Sequence, residues 1–198
     1  PWWRAAAPAT PLRQVYVFDR VSDEIRLVSR SDDSLPANRT CAEPELSDDG
    51  RFAAYLSAAT NLAGGLPPDS LAYRLYVVDR SSGTTIRVDE IERGFDPQGW
   101  VVGTYDMDAS GDNIVFEARA RKPGKPHDSL ATTDLFLFER SSGAVTRMTS
   151  GIFAGRSHSP SVSGDGRFTV FAIAAARGKK DSGGIVVYDR SRELWRMA

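Results

Sequence analysis

The stretch "RLYVVDRSSGTTIRV" (74–88) is written again, with the same punctuation, as "DLFLFERSSGAVTRM" (134–148). In both, an acid (Asp79 or Glu139) is followed by Arg, two serines and Gly. Looser copies read "QVYVFDRVSDEIRLV" (14–28) and "GIVVYDRSRELWRM" (184–197). The acids Asp19, Asp79, Glu139 and Asp189 therefore recur at spacings of 60, 60 and 50 residues. Self-similarity at such a period marks a repeat architecture, and it has to be read before local propensities.

A second phrase lies between these copies. It reads "LSDDGRFAAY" (46–55), "MDASGDNIVF" (107–116) and "VSGDGRFTVF" (162–171), which brings Gly50, Gly111 and Gly166 into line. One unit can then be drawn. A short strand ends at Leu46 or Val162, and a tight turn follows whose glycine supplies a positive φ. A second strand, a long loop, a third strand, the Ser-Ser-Gly turn and a fourth strand complete it. The strands are rich in Val, Ile, Phe, Tyr and Thr and have strand length. No segment keeps helical spacing for more than a turn or two, and residues 58–62 read as loop.

Both faces of these strands are apolar. Phe52, Ala54 and Leu56 face one way, with Ala53 and Tyr55 opposite; Leu75 and Val77 oppose Tyr76 and Val78. A sheet with one wet face would alternate apolar and polar residues instead. Sheets covered on both sides and repeated along the chain predict an all-β propeller. The expected content is about three complete four-stranded antiparallel blades plus one partial N-terminal blade. The expected divisions are a partial blade and connector at 1–42 and blades at 43–103, 104–159 and 160–198, all within one propeller domain. Small residues such as Ala53 and Ala54 suit an inner strand near a crowded axis.

The phrase S-x-D-G-R-F, then an apolar strand, a loop and L-Y-V-V-D-R-x-x-G, resembles the TolB-type (WD40-like) β-propeller repeat. Ser47, Asp49, Gly50, Arg51 and Phe52 carry it, with Leu75 to Gly83. The middle copy departs: Asp112 and Asn113 stand where the others have Arg-Phe, which predicts a weaker inner strand there. The resemblance implies a bacterial, periplasmic or secreted, non-catalytic scaffold for protein–protein interaction. The chain is also similar to the gating, substrate-selecting propellers of prolyl-oligopeptidase-like serine hydrolases, whose catalytic domain would lie outside this chain. A third possibility is a carbohydrate- or lyase-type propeller with its site in the central channel, where the first strands offer Glu45, Asp106, Asp108 and Ser161. Aligning Asp19 with Asp189 makes "PWW" (1–3) the tail of a second strand, so the first blade lacks its innermost strand. Propellers close with 4–8 blades, and the chain begins without Met. The expectation is therefore a fragment, with further blades missing from this chain.

Lys and Arg number 25 against 26 Asp and Glu, for a net charge of −1, so nothing global draws the chain to nucleic acid or an anionic membrane. No apolar run approaches the ~20 residues of a membrane span. The single cysteine, Cys41, excludes an internal disulfide and reads as a small, partly buried side chain. No phosphate-binding glycine loop or Cys/His cluster is present, so no cofactor is expected.

Four local patterns compete for a site. "DMDASGDNIVFE" (106–117) places Asp106, Asp108, Ser110 and Glu117 like calcium-loop ligands. It also aligns without a gap to two turns that lack those carboxylates, which favours an ordinary strand–turn–strand and no metal. "GRSHS" (155–159) almost spells a nucleophile elbow, but it reads as a segment between blades, with His158 and His127 as loop residues. "NRT" (38–40) is a glycosylation sequon, relevant only to a secreted eukaryotic protein. The loops after the second strands of the last two blades carry Arg119, Arg121, Lys122, Lys125, Arg177, Lys179 and Lys180, which with His127 predict a cationic rim for an acidic protein or glycan surface.

The acid–Arg phrase has an architectural explanation. If Arg80 and Thr84 close the turn, Val78 faces Ile86, Val77 faces Arg87, and Asp79 lies diagonal to Arg87 on one face. The same construction pairs Glu139 with Arg147 and, through turns one residue shorter, Asp19 with Arg26 and Asp189 with Arg196.

Overall fold

Each acid–Arg phrase folds as a β-hairpin in the computed structural model, which describes residues 12–67, 72–88, 101–119, 133–149, 156–174 and 183–197. The first copy forms β1 (Tyr16–Asp19) and β2 (Glu24–Leu27), paired with each other. The second is the outer half of a sheet of β3 (Cys41–Leu46), β4 (Phe52–Ser57), β5 (Arg74–Asp79) and β6 (Thr84–Arg87). The third belongs to β7 (Val101–Met107), β8 (Asn113–Arg119), β9 (Thr133–Glu139) and β10 (Ala144–Arg147). The fourth belongs to β11 (Ser157–Val162), β12 (Phe168–Ile173), β13 (Gly184–Asp189) and β14 (Leu194–Met197). The three four-stranded sheets are antiparallel, with neighbours in chain order. Among the described residues there is no helix. The molecule is all-β and built from propeller blades; the reading of residues 1–3 as a strand tail lies outside the described residues.

The two-sided burial expected of β4 and β5 is what joins the blades. Phe52, Ala54, Leu56, Leu75 and Val77 share one core with Met107, Ile114, Phe116, Phe136 and Phe138 of the following sheet. The alternate residues Ala53, Tyr55, Tyr76 and Val78 share another with Val15, Val17 and Val28 of the preceding one. Val115, Leu135 and Leu137 meet Phe171, Ile173 and Val186 in a third. Period-two alternation thus distributes each strand between two inter-blade cores. No blade has a core of its own, so each depends on its neighbours for burial.

The register differs from the expected one by one residue in the Asp79 and Glu139 hairpins and agrees with it in the Asp19 and Asp189 hairpins. Asp19, Asp79, Glu139 and Asp189 lie opposite Glu24, Thr84, Ala144 and Leu194, so all four loops have the same length. The last loop residue takes a left-handed conformation in every copy: Asp23 (φ 57°), Gly83 (φ 76°), Gly143 (φ 69°) and Glu193 (φ 51°). The Gly83 and Gly143 amides donate to the Asp79 and Glu139 carbonyls at 2.8 Å and close the loop one residue earlier than Arg80 would. Val77 then faces Ile86, and Tyr76 faces Arg87. Arg87 and Arg147 fall on the sheet face opposite Asp79 and Glu139, and those two predicted pairs do not form. Arg26 and Arg196 do share a face with Asp19 and Asp189. Both acids are nonetheless engaged elsewhere: Asp19 Oδ1 accepts from the Val21 amide at 2.8 Å while Arg26 pairs with Glu24 at 2.6 Å, and Asp189 pairs with Arg167 at 2.8 Å.

The middle copy is not weak. Strand β8 runs seven residues and pairs with β9 along its whole length. The amide of Asn113, in the place of Phe, donates to Asp108 Oδ2 at 2.5 Å and secures the turn from which the strand departs.

Candidate functional site

The first strands of neighbouring sheets, β3 beside β7 and β7 beside β11, approach one another along the inner edge of the array. Each carries a bulge, between Ala42 and Glu45, Val102 and Tyr105, and His158 and Ser161. Just beyond it, Glu45, Asp106 and Ser161 occupy one equivalent position, opposite Ala54, Val115 and Val170. They form a row that crosses from blade to blade. The Met107 amide donates to Glu45 Oε1 at 3.3 Å, while Asp106 Oδ2 accepts from the Val162 amide at 2.6 Å and the Ser161 hydroxyl at 2.8 Å. Each carboxyl thereby satisfies an edge-strand N–H of the following blade. Burial, and then the adjacent Asp106 carboxylate, pushes the Glu45 carboxyl up to about 7. A protonated Glu45 can donate to Asp106. Beside this pair the Tyr105 hydroxyl donates to the Glu43 carbonyl, and burial raises its pKa.

The turn after the first strand explains the calcium-like spacing. In the outer two copies the Ser47 and Ser163 hydroxyls donate to Asp49 and Asp165 at 2.6 and 2.5 Å. The same hydroxyls accept the Phe52 and Phe168 amides at 2.9 Å. In the middle copy serine and aspartate have changed places: Ser110 Oγ donates to Asp108 Oδ1 at 2.9 Å. The structure therefore brings Asp108 and Ser110 together. Asp106 is engaged by the next blade, and Glu117 lies four residues along β8 from Asn113, roughly 13 Å at strand rise, where it accepts from Thr104 at 3.1 Å. Among the described residues no group of three or more His, Cys, Asp or Glu is placed to hold a metal. Main-chain bonds link these turns in series, from the Asp48 amide to the Ala109 carbonyl (2.9 Å) and from the Ala109 amide to the Gly164 carbonyl (3.1 Å).

At the outer hairpins the acid caps its own loop. Asp79 Oδ1 accepts from the Ser81 amide (2.9 Å) and hydroxyl (2.6 Å), and Asp189 does the same with Ser191. Its charge partner is the Arg of S-x-D-G-R in the same blade. Arg51 engages Asp79 through two nitrogens at 2.7 and 3.2 Å, and Arg167 engages Asp189 at 2.8 and 3.1 Å. These bonds hold both carboxyls well below the usual range, with the Arg contact the largest cause. Where Asp112 replaces that Arg, the charges rearrange: Asp112 pairs with Arg140, and Glu139 with Arg190 of the next blade. Arg140 also stands 3.9 Å over the Phe52 ring of the preceding blade. The second residue of the phrase is thus an inter-blade contact, which pairwise reading within one hairpin could not reveal. The Arg that S-x-D-G-R carries in two of its three copies, Arg51 and Arg167, was the signal available for the true partner of the acid.

His158 is a strand residue at the β11 bulge, not a loop residue; its Nδ1 lies 3.1 Å from Ser159 Oγ, and Ser159 has φ 53°. "GRSHS" consequently runs into an innermost strand instead of lying between blades. Cys41 is 3 % exposed, within the core shared with the first blade. The Asn38 amide of the sequon donates to Thr60 at 2.8 Å. Arg119 ends β8. Arg121, Lys122, Lys125, His127, Arg177, Lys179 and Lys180 lie outside the described residues, as does the side chain of Arg119.

No protein-family model matches the chain, and no curated protein sequence does. Solved structures share its fold. Dipeptidyl peptidase 4 of Porphyromonas gingivalis overlaps 93% of this chain at TM-score 0.62 and 12% identity, and a prolyl endopeptidase overlaps 93% at TM-score 0.57 and 16% identity. TolB of Acinetobacter baumannii aligns over 96% at TM-score 0.35 and 14% identity. This chain spans 28%, 25% and 50% of those three chains, respectively. At such identities the likeness to the two peptidases speaks for the fold alone, and the fold is a β-propeller of four-stranded blades.

Proposed function

We propose that the chain is part of a non-catalytic β-propeller scaffold that binds a protein partner of acidic surface through its loop face. In this reading the ring is completed by further blades outside the chain. The observation that carries it is where the reactive side chains go. Glu45, Asp79, Asp106, Asp108, Arg140, Arg167 and Asp189 are engaged within or between blades. That leaves loops on a rigid frame as the natural binding surface. The cationic residues from Arg119 to Arg121, Lys122 and Lys125, and from Arg177 to Lys179 and Lys180, suit a carboxylate-rich surface. A bacterial periplasmic or secreted setting rests on the TolB resemblance alone. An immobilised polyglutamate peptide is a direct probe. The wild-type chain binds it in a salt-sensitive manner, and replacing Arg121, Lys122, Lys179 and Lys180 by Glu abolishes that binding; unchanged affinity overturns the proposal.

A second reading, the gating propeller of a prolyl-oligopeptidase-like hydrolase, is favoured by the overlap with the two peptidases. A fluorophosphonate probe that labels a longer polypeptide containing this chain supports it. Failure to label removes it.

A further inference from the structure

The seam between the first strands β3 and β7 brings two acids together without a cation. Glu45 of β3 and Asp106 of β7 hold the same place in their blades, opposite Ala54 and Val115. Glu45 Oε1 accepts the Met107 amide at 3.3 Å, which lays its carboxyl against the Asp106–Met107 peptide and beside the Asp106 side chain. Asp106 Oδ2 is meanwhile held by the Val162 amide and the Ser161 hydroxyl of β11. Among the described residues no Lys or Arg pairs with either carboxyl. Both acids are half-buried.

The neighbouring elements supply no counter-charge. Strand β3 adds Glu43, which is exposed and whose carbonyl accepts from the Tyr105 hydroxyl. Strand β7 adds Tyr105 itself, whose ionisation is opposed by burial and then by Glu45, Glu43 and Asp106. Asp108, in the turn beyond, is taken up by Ser110 and Asn113. Strands β4 and β8 present Ala54 and Val115, and Glu117 of β8 is bonded by Thr104. Strand β11 presents Ser161, with His158 on the far side of its bulge beside Ser159. The charged form of Glu45 is thus opposed by burial first and by Asp106 next, and only the Met107 amide favours it.

We propose that Glu45 is a proton-operated latch on the β3–β7 seam. Protonated, its carboxyl donates to Asp106 and accepts from the Met107 amide, so one side chain of β3 ties down two groups of β7. Ionised, it meets the Asp106 carboxylate across the same gap with no cation between them. A half-buried, unbranched side chain relieves that repulsion by turning out to solvent. Met107 then loses its acceptor on β3, and the inner edge of the seam opens. The seam between β7 and β11 has no such latch, because there Asp106 meets two donors and no second acid. The β3–β7 edge is therefore closed in mild acid and open above neutrality, whatever binds at the loop face.

Amide hydrogen exchange of the 198-residue chain, read residue by residue by NMR at pH 6 and pH 8, tests this once the intrinsic pH dependence of exchange is divided out. Glu45 titrates at about 7, so at pH 8 about one molecule in ten keeps the proton. Protection of the Met107 amide should fall by about tenfold between the two conditions, while that of Val162 holds. Glu45→Gln keeps a donor toward Asp106 and an acceptor for Met107 at both pH values and should abolish the fall; its Val162 protection at pH 6 reports that it is folded. Equal protection of Met107 at pH 6 and pH 8 in the wild type overturns the proposal. So does an equal loss at Met107 and Val162, which is loosening of the whole inner edge, or a loss that persists in Glu45→Gln.

Discussion

Gly111 and Gly143 have almost the same backbone, φ 71° and 69°, but different surroundings. A Cβ on Gly111 would lie 2.8 Å from the Phe52 ring of the preceding blade, whereas one on Gly143 meets nothing within 4 Å. Alanine at Gly143 therefore carries the left-handed penalty alone, about 1 kcal/mol. Alanine at Gly111 adds a clash with a ring held between blades, for a loss of about 3 kcal/mol. Urea titration of both variants measures the difference, and equal losses would contradict the close approach of the two blades. The converse applies at Asp23 and Glu193, non-glycine residues at φ 57° and 51° in the equivalent loop position. Glu193→Gly relieves that strain and should raise stability by about 0.5 kcal/mol, less than the full relief because glycine is freer when unfolded. A lower melting temperature for this variant would refute it.

Hairpins and turns behave as exchangeable units with conserved charge balance. Asp112 stands where Arg51 and Arg167 stand, and Arg140 answers it. Asp112→Arg makes the middle copy look like its neighbours in sequence, yet it should destabilise by about 1 kcal/mol, because Arg140 loses its carboxylate and gains a like charge. Adding Glu139→Asp offers the new Arg the in-blade partner seen for Arg51 and should recover part of the loss; no recovery by denaturant titration would contradict this account of the turn. The inner strands respond to pH. Glu45 has its folded pKa raised from 4.5 to about 7, so the folded state binds its proton more tightly than the unfolded chain does. Its contribution is fully present below about pH 4.5 and is lost as pH rises through 7. Glu45→Gln keeps a donor toward Asp106 at every pH. It should flatten the stability profile over that window and gain about 1 kcal/mol at pH 8, allowing for partial solvent screening. An unchanged slope between pH 4.5 and 7 would sink this.

At this scale the sequence was legible where a pattern recurs. The period-two apolar runs around Phe52 and Val77 identified strands covered on both faces, and the turn glycines located their ends. The register of the two Ser-Ser-Gly hairpins was not legible, because Gly83 and Gly143 mark a turn without showing that its loop counts four residues instead of three; the hairpins closed by Asp23 and Glu193 follow the expected register. The partners of Asp79 and Arg140 were hidden for a different reason: they lie on another strand pair or another blade, 28 or more residues away. The Glu45–Asp106 pair shows the same limit, since adjacency between first strands of two repeats is a property of the stack.

The whole molecule is a series of sheets that share cores in pairs, and its stability is coupled through nearest neighbours. Phe52 belongs by sequence to one blade and by contact to the next, where it meets the core of Met107, Ile114, Phe116 and Phe138 under Arg140. Phe52→Ala should cost about 3–5 kcal/mol, and the opening it permits should not stay within its own sheet. Hydrogen exchange of the wild type and Phe52→Ala, read peptide by peptide, addresses radial stacking directly. The account predicts faster exchange in β7 to β9 as well as in β3 to β5, with a smaller effect in β12 and β13. Acceleration confined to β3 to β5, with β8 and β9 exchanging as in the wild type, would contradict it.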